Sequence, residues 1–210
     1  MTPLAVDDSA TFRRPGADPD APLLLVLHGY GASEGDLLAL LPHLGHDGDA
    51  AFLRAPLALG PGQWAWFPIT TIGSPDVTAV QAAAEAVLAW LAEHADGRDV
   101  VALGFSQGST VALQVARTEP GRLAALVVLS GFVMPAAQAG DAALAALAPP
   151  AFFGHGTADA IIPPPVTALT SDWLARHTSV TERSYPGLPH GVSGEELVDV
   201  REFLTGLDAR

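Results

Sequence analysis

Residues 100–109, V-V-A-L-G-F-S-Q-G-S, restrict the folds open to this chain more than any other stretch. A short apolar run, 100–103, ends in Gly104-Phe105-Ser106-Gln107-Gly108. Behind it Val111 and Val115 stand four apart, as on one face of a helix. The pattern is therefore a buried strand, G-x-S-x-G, then a helix. A strand that reverses so sharply holds the serine in a strained conformation, and the positions two before and two after it must lack a Cβ. The hydroxyl then projects above the sheet edge, and the next backbone N–H points out from a helix N-terminus, where negative charge is stabilised. In a chain with 21 glycines the motif alone is common by chance, and its flanks give it meaning.

The 210 residues suit one domain, expected to span 1–210. Hydrophobic residues make up 49% and charged ones 16%, enough for a sizeable core. All ten basic residues are arginine, and the net charge is −13. That balance argues against nucleic acid as a partner and against stable association with anionic membranes. There is no cysteine, which excludes disulfides, a thiolate nucleophile and thiolate metal sites. The first residues carry no basic n-region and no long apolar segment, so a soluble, cytoplasmic protein is expected.

Along the chain, strands are expected at 11–14, 22–28, 50–54, 100–103, 124–129, 151–155 and 180–185. Helices are expected at 34–44 with Ser33 as N-cap, 76–94, 164–177 and 194–207, besides the one after Ser106. Residues 132–150 read as a loop and a short helix. Residues 56–75 read as a long loop rich in Gly and Pro, and loops of that length are usually functional. It holds Trp64, Trp66 and Phe67, which are either core or the wall of an acyl pocket. Alternating strands and helices imply a mostly parallel sheet with helices on both faces. Ligands of such sheets bind beyond the C-terminal strand ends.

Four groups fall on that rim: His28-Gly29-Tyr30-Gly31, Ser106, Asp159 and His190. Ser, Asp, His is the chain order of a hydrolase triad on such a sheet. Serine needs a base to take its proton, and imidazole has a suitable pKa. The base needs an acid on its other nitrogen to fix the tautomer. A tetrahedral intermediate needs two N–H donors, one from Gln107 directly after the nucleophile and one from the H-G-Y-G loop. His155, inside G-H-G, is expected to bond locally in a tight turn, and His177 to sit at a helix end. Asp141 and Asp172 read as solvated, with Asp141 next in line for the acid. The glycines from Gly29 miss the dinucleotide spacing by one residue, and His43, His46, Asp47 and Asp49 match no metal-ligand spacing. No cofactor and no metal are expected.

These residues resemble the phospholipase/carboxylesterase family, the group that includes the acyl-protein thioesterases. The matching pieces are Leu27-His28-Gly29-Tyr30-Gly31, Trp66-Phe67, Gly104-Phe105-Ser106-Gln107-Gly108, His155-Gly156-Thr157-Ala158-Asp159 and Tyr185-Pro186-Gly187-Leu188-Pro189-His190. The resemblance implies an α/β-hydrolase fold and a cofactor-free serine esterase acting on a small-molecule ester or thioester. It carries the nucleophile to Ser106, the acid to Asp159, the base to His190 and the oxyanion donors to the N–H groups of Tyr30 and Gln107. Pro68 and Pro189 depart from the family's usual acid and glycine, which bears on substrate shape. The alternatives are another hydrolase of this fold, acting on a lactone, an activated amide or a lysophospholipid, and a non-catalytic binding protein.

Overall fold

The computed structural model describes residues 4–69 and 75–207. Nine strands occur among them: β1 (Phe12–Arg14), β2 (Leu23–Leu27), β3 (Ala50–Leu53), β4 (Leu57–Gly60), β5 (Gln63–Ala65), β6 (Val100–Phe105), β7 (Ala125–Leu129), β8 (Pro150–Gly156) and β9 (Ser179–Tyr185). The helices are α1 (Leu41–Leu44), α2 (Val77–His94), α3 (Gln107–Thr118), α4 (Asp141–Leu147), α5 (Pro164–His177) and α6 (Gly194–Leu207). Seven strands form one sheet in the order β1-β3-β2-β6-β7-β8-β9. Only the edge strand β1 runs antiparallel.

Every side chain of β2 and β7 is buried, as strands covered on both faces require. Alternate residues serve two cores. Leu25, Leu27, Ala102 and Val128 face the layer that holds Val87, Leu91 and Leu174, while Leu24, Val26, Leu103 and Val127 face Leu44, Val200 and Leu204. The period of two in each strand thus meets a helical layer on either side.

Two expectations fail. The helix expected over 34–44 is mostly turn, with a 3-10 turn at Leu38–Leu40 and one α turn at Leu41–Leu44. Gly35 weakens its start, and Pro42 lacks the N–H a longer helix would use. Ser33 does not cap a helix; its N–H and hydroxyl both donate to Asp36 Oδ2, at 2.7 and 2.6 Å. The long loop expected over 56–75 contains the β4–β5 hairpin, turned at Pro61-Gly62, with Gly62 at φ +72°. Residues 70–74 of that span lie outside the described residues.

Glu196 is fully buried at the start of α6. Its N–H donates to Ser193 Oγ (3.1 Å), and Ser193 N–H reaches back to its Oε2 (3.4 Å), a reciprocal cap. Among the described residues Oε1 has no hydrogen-bond partner, and it fills the space where Gly154 lacks a Cβ. Burial, reinforced by the charge of Asp199, raises the Glu196 pKa to about 7. An acid raised on folding binds its proton more tightly in the folded state, so folding stability falls as pH rises from about 4.5 through about 7. Urea unfolding at pH 5 and pH 8 should show that fall, about 3 kcal/mol from this group, and Glu196→Gln should remove that part of it.

Candidate active site

Ser106 lies in the turn between β6 and α3 at φ 53°, ψ −114°, a left-handed conformation that a residue with a Cβ rarely adopts. Its N–H donates to Leu129 O on the neighbouring strand (2.8 Å), and its carbonyl accepts from Thr110 N–H (3.2 Å). Close approach on both sides fixes the glycines. A Cβ on Gly104 would lie 2.4 Å from Ser109 N, and one on Gly108 would lie 2.0 Å from Leu27 O. Gly104 is pressed by the helix, as the motif implies, whereas Gly108 is pressed by the end of β2. A serine just before a helix ordinarily caps it, but the strained turn takes this hydroxyl away from the helix N–H groups.

The hydroxyl instead meets His190, with Nε2 3.0 Å from Ser106 Oγ. On the other side of the ring, Nδ1 lies 2.7 Å from Asp159 Oδ2. The carboxylate can only accept, so Nδ1 carries the proton and Nε2 presents its lone pair to the serine. The Asp159 side chain is only 5% exposed, and its Oδ1 accepts from the N–H groups of Ile161 (2.8 Å) and Ile162 (2.9 Å). Two backbone bonds therefore fix the carboxylate that faces the imidazole.

The loops bearing the two residues are joined beyond the sheet. Thr157 N–H donates to Tyr185 O (3.0 Å) and Ala158 N–H to Leu188 O (3.0 Å). Gly156 has no room for a Cβ, which would sit 2.1 Å from Leu188 O. The His190 ring also rests against Phe105, their centroids 5.0 Å apart.

The loop after β2 completes this rim. His28 is buried; its Nε2 accepts from Ala55 N–H (3.1 Å), so its Nδ1 donates to Gly29 O (2.7 Å). Burial holds the His28 pKa below its ordinary value, against opposing contributions from Gly29 O, Glu34 and Asp36. A neutral imidazole with both nitrogens bonded is a brace for the loop. Gly31 takes φ +74°, and its N–H donates to Trp64 O (2.8 Å), while Trp64 N–H returns to Ala32 O (2.9 Å). The β4–β5 hairpin thus grips the H-G-Y-G segment. Among the described residues, neither Tyr30 N–H nor Gln107 N–H has a hydrogen-bond partner in the protein. Both residues line a cavity of about 650 Å³ together with Ser106 and His190.

The two aromatics expected at a pocket part ways. Phe67 lines the cavity, but Trp66 is fully buried and is absent from the lining. Trp66 is a fixture of the core beneath the site: its Nε1 donates to His28 O (2.9 Å), and its N–H donates to Gln107 Oε1 (2.7 Å). Gln107 Nε2 then donates to Phe67 O (2.7 Å). This clamp by the Gln107 side chain was not legible in the sequence, where only its N–H drew notice. Other expectations change as well. Asp141 is not solvated but bound bidentately by the buried Arg117 at 2.7 and 2.8 Å. Burial works to raise the Asp141 pKa, yet the bonds and charge of Arg117 together with the Gln138 N–H outweigh it and the net shift is downward. His155 is no tight-turn residue; it closes β8 with Nε2 3.1 Å from Glu182 Oε1 on β9. His177 does lie at the end of α5, with Nδ1 2.7 Å from Trp173 O. Among the described residues no group of three or more His, Asp or Glu side chains is placed to hold a metal ion, and no helix is long and apolar enough to cross a membrane.

A mostly parallel sheet, helices on both faces and a strained serine turn after a central strand define an α/β-hydrolase fold. Solved structures share it. The Bacillus cereus carboxylesterase superposes with a TM-score of 0.83 at 22% identity, over 94% of this chain and 93% of that one. Acyl-protein thioesterase 2 of Zea mays does so with a TM-score of 0.76 at 24% identity, over 94% and 98%. The chain belongs to the phospholipase/carboxylesterase family, whose model matches residues 13–207. Acyl-protein thioesterase 1 of Kluyveromyces lactis is 27% identical over 90% of this chain and 93% of that protein. The protein of the same name from Debaryomyces hansenii is 32% identical over 66% of this chain and 65% of its own length. Membership supports hydrolysis of esters or thioesters.

Proposed function

We propose that this protein is a serine carboxylesterase, acting on carboxylic esters or thioesters through an acyl-enzyme. The observation that carries the reading is the unbroken chain from Ser106 Oγ through the His190 ring to Asp159, at 3.0 and 2.7 Å, on the wall of an apolar cavity. Ser106 Oγ attacks the carbonyl carbon while its proton passes to His190 Nε2. The imidazolium, stabilised by Asp159, returns that proton to the leaving alkoxide or thiolate. Water then attacks the acyl-enzyme by the same route and frees the acid. The N–H groups of Tyr30 and Gln107 receive the negative charge that develops on the carbonyl oxygen. A fluorophosphonate probe should label the protein once, at Ser106 by peptide mass spectrometry, and should not label Ser106→Ala. Labelling at another serine, or none, would overturn the reading and favour a binding protein.

The oxyanion assignment has its own test. An oxyanion donor is ordinarily worth about 10²–10³ in kcat. In this reading Tyr30 acts through its backbone, so Tyr30→Phe, which keeps both N–H and ring, should change kcat on a short-chain ester by less than about tenfold. Tyr30→Leu should also stay active, with any change concentrated in KM, because the ring borders the cavity. A hundredfold loss in Tyr30→Phe would assign the role to the phenol.

A further inference from the structure

Among the described residues the cavity wall carries one carboxylate side chain, Asp36, and no arginine. This is an asymmetry in an otherwise apolar surface that includes Phe67, Phe132 and Ile162. Asp36 Oδ2 is taken by the Ser33 N–H and hydroxyl, which fixes the carboxylate, while among the described residues no hydrogen bond engages Oδ1. Its charge is felt at the buried His28 imidazole under the same loop. The neighbouring cation, Arg54, is committed to Glu34 and lies over the Trp64 ring, 4.2 Å from its centroid. The Tyr30 ring, 47% exposed, lines the same cavity six residues before Asp36. An aromatic residue and a carboxylate on the wall of one cavity, with no arginine beside them in its lining, are the chemistry that recognises an ammonium group.

We infer that the site selects esters or thioesters carrying an ammonium group, held by Asp36 and the Tyr30 ring, and disfavours anionic ones. This rests on the esterase reading above and adds the charge of the substrate. Asp36 is a specificity residue in this scheme and takes no part in bond breaking. The net charge of −13 works in the same direction, concentrating cationic substrates near the protein at low ionic strength.

The test compares acetylcholine, the acetate ester of choline, with 3,3-dimethylbutyl acetate, in which carbon replaces the quaternary nitrogen at nearly constant shape. Each kcat/KM is divided by the ester's rate with hydroxide. Wild type should favour the choline ester by about tenfold at low salt, and the preference should shrink as salt rises. In Asp36→Asn, which can still accept from Ser33, the ratio should fall to near one. The ratio cancels any general change in activity. A ratio near one in wild type, with both esters hydrolysed, would overturn the inference and leave the esterase reading standing. Calorimetry on Ser106→Ala reads the same contact without turnover. The choline ester should bind about tenfold more tightly than its carbon isostere, and adding Asp36→Asn should abolish the difference. If neither ester is hydrolysed by wild type while this binding difference persists, the esterase reading fails and charge selection stands. Equal affinities in Ser106→Ala would overturn the selection.

Discussion

Ser106→Ala should lower kcat by about 10⁴–10⁶ while the protein stays folded, and His190→Ala should do nearly the same. In the proposed mechanism the two changes remove one event, transfer of the serine proton to Nε2 as the Oγ–carbon bond forms, so their effects do not add. The double variant should be about as slow as either single one. Ser106 Oγ has no hydrogen-bond partner other than His190 among the described residues, so its loss leaves no buried polar group stranded. The strained turn is held by backbone bonds to Leu129 and Thr110 and by the contacts of Gly104 and Gly108, none of which the substitution touches. Circular dichroism and the urea midpoint should therefore match wild type while turnover of a short-chain ester collapses. Activity within tenfold of wild type in a folded Ser106→Ala would sink the proposed mechanism.

The strand–serine–helix stretch was legible because its requirements are local. A reversal at Ser106 needs glycines at 104 and 108, and the flanking periodicities can be read within a dozen residues. The three groups at distant strand ends were legible for a different reason. In a mostly parallel sheet every strand delivers its C-terminal end to one rim, so chain order alone brings 106, 159 and 190 together. What stayed hidden depends on pairs that no local pattern marks. The β4–β5 hairpin spans only 57–65, and Gly60, Pro61 and Gly62 made it look like loop. Its turn signal, Pro61-Gly62 before Trp64, was present but unread. The sequence left Trp66 open between core and pocket wall because a buried tryptophan and a pocket tryptophan look alike until their partners are known; its partners are His28 O and Gln107 Oε1. Ser193 and Glu196 do form the S-x-x-E signature of a helix start, beginning three residues after the rim histidine, and that signal was missed. Arg117 and Asp141 meet across 24 residues and could not have been paired from spacing.

Asp159→Asn should lower kcat by about 10⁴, a large effect for the exchange of one oxygen for a nitrogen. The reason lies in how the carboxylate is used. Oδ1 accepts from two backbone N–H groups, Ile161 and Ile162, so an asparagine must put its oxygen there and its NH₂ toward His190. A donor facing Nδ1 demands the tautomer with its proton on Nε2. The lone pair then points away from Ser106, and the imidazole can no longer take the serine proton. The reverse orientation would set NH₂ against two N–H donors in a nearly buried site, where the unmade bonds cost more than the tautomer change. Asp159→Ala should be comparably slow, because the ring loses the partner that orients it and stabilises the imidazolium. Asp141 cannot stand in: both of its oxygens are bound to the guanidinium of Arg117. The check is kcat on one short-chain ester for both variants, with the histidine tautomer in Asp159→Asn read by ¹⁵N NMR. Near-normal turnover in Asp159→Ala, or an unchanged tautomer in a slow Asp159→Asn, would show that His190 takes its orientation from elsewhere.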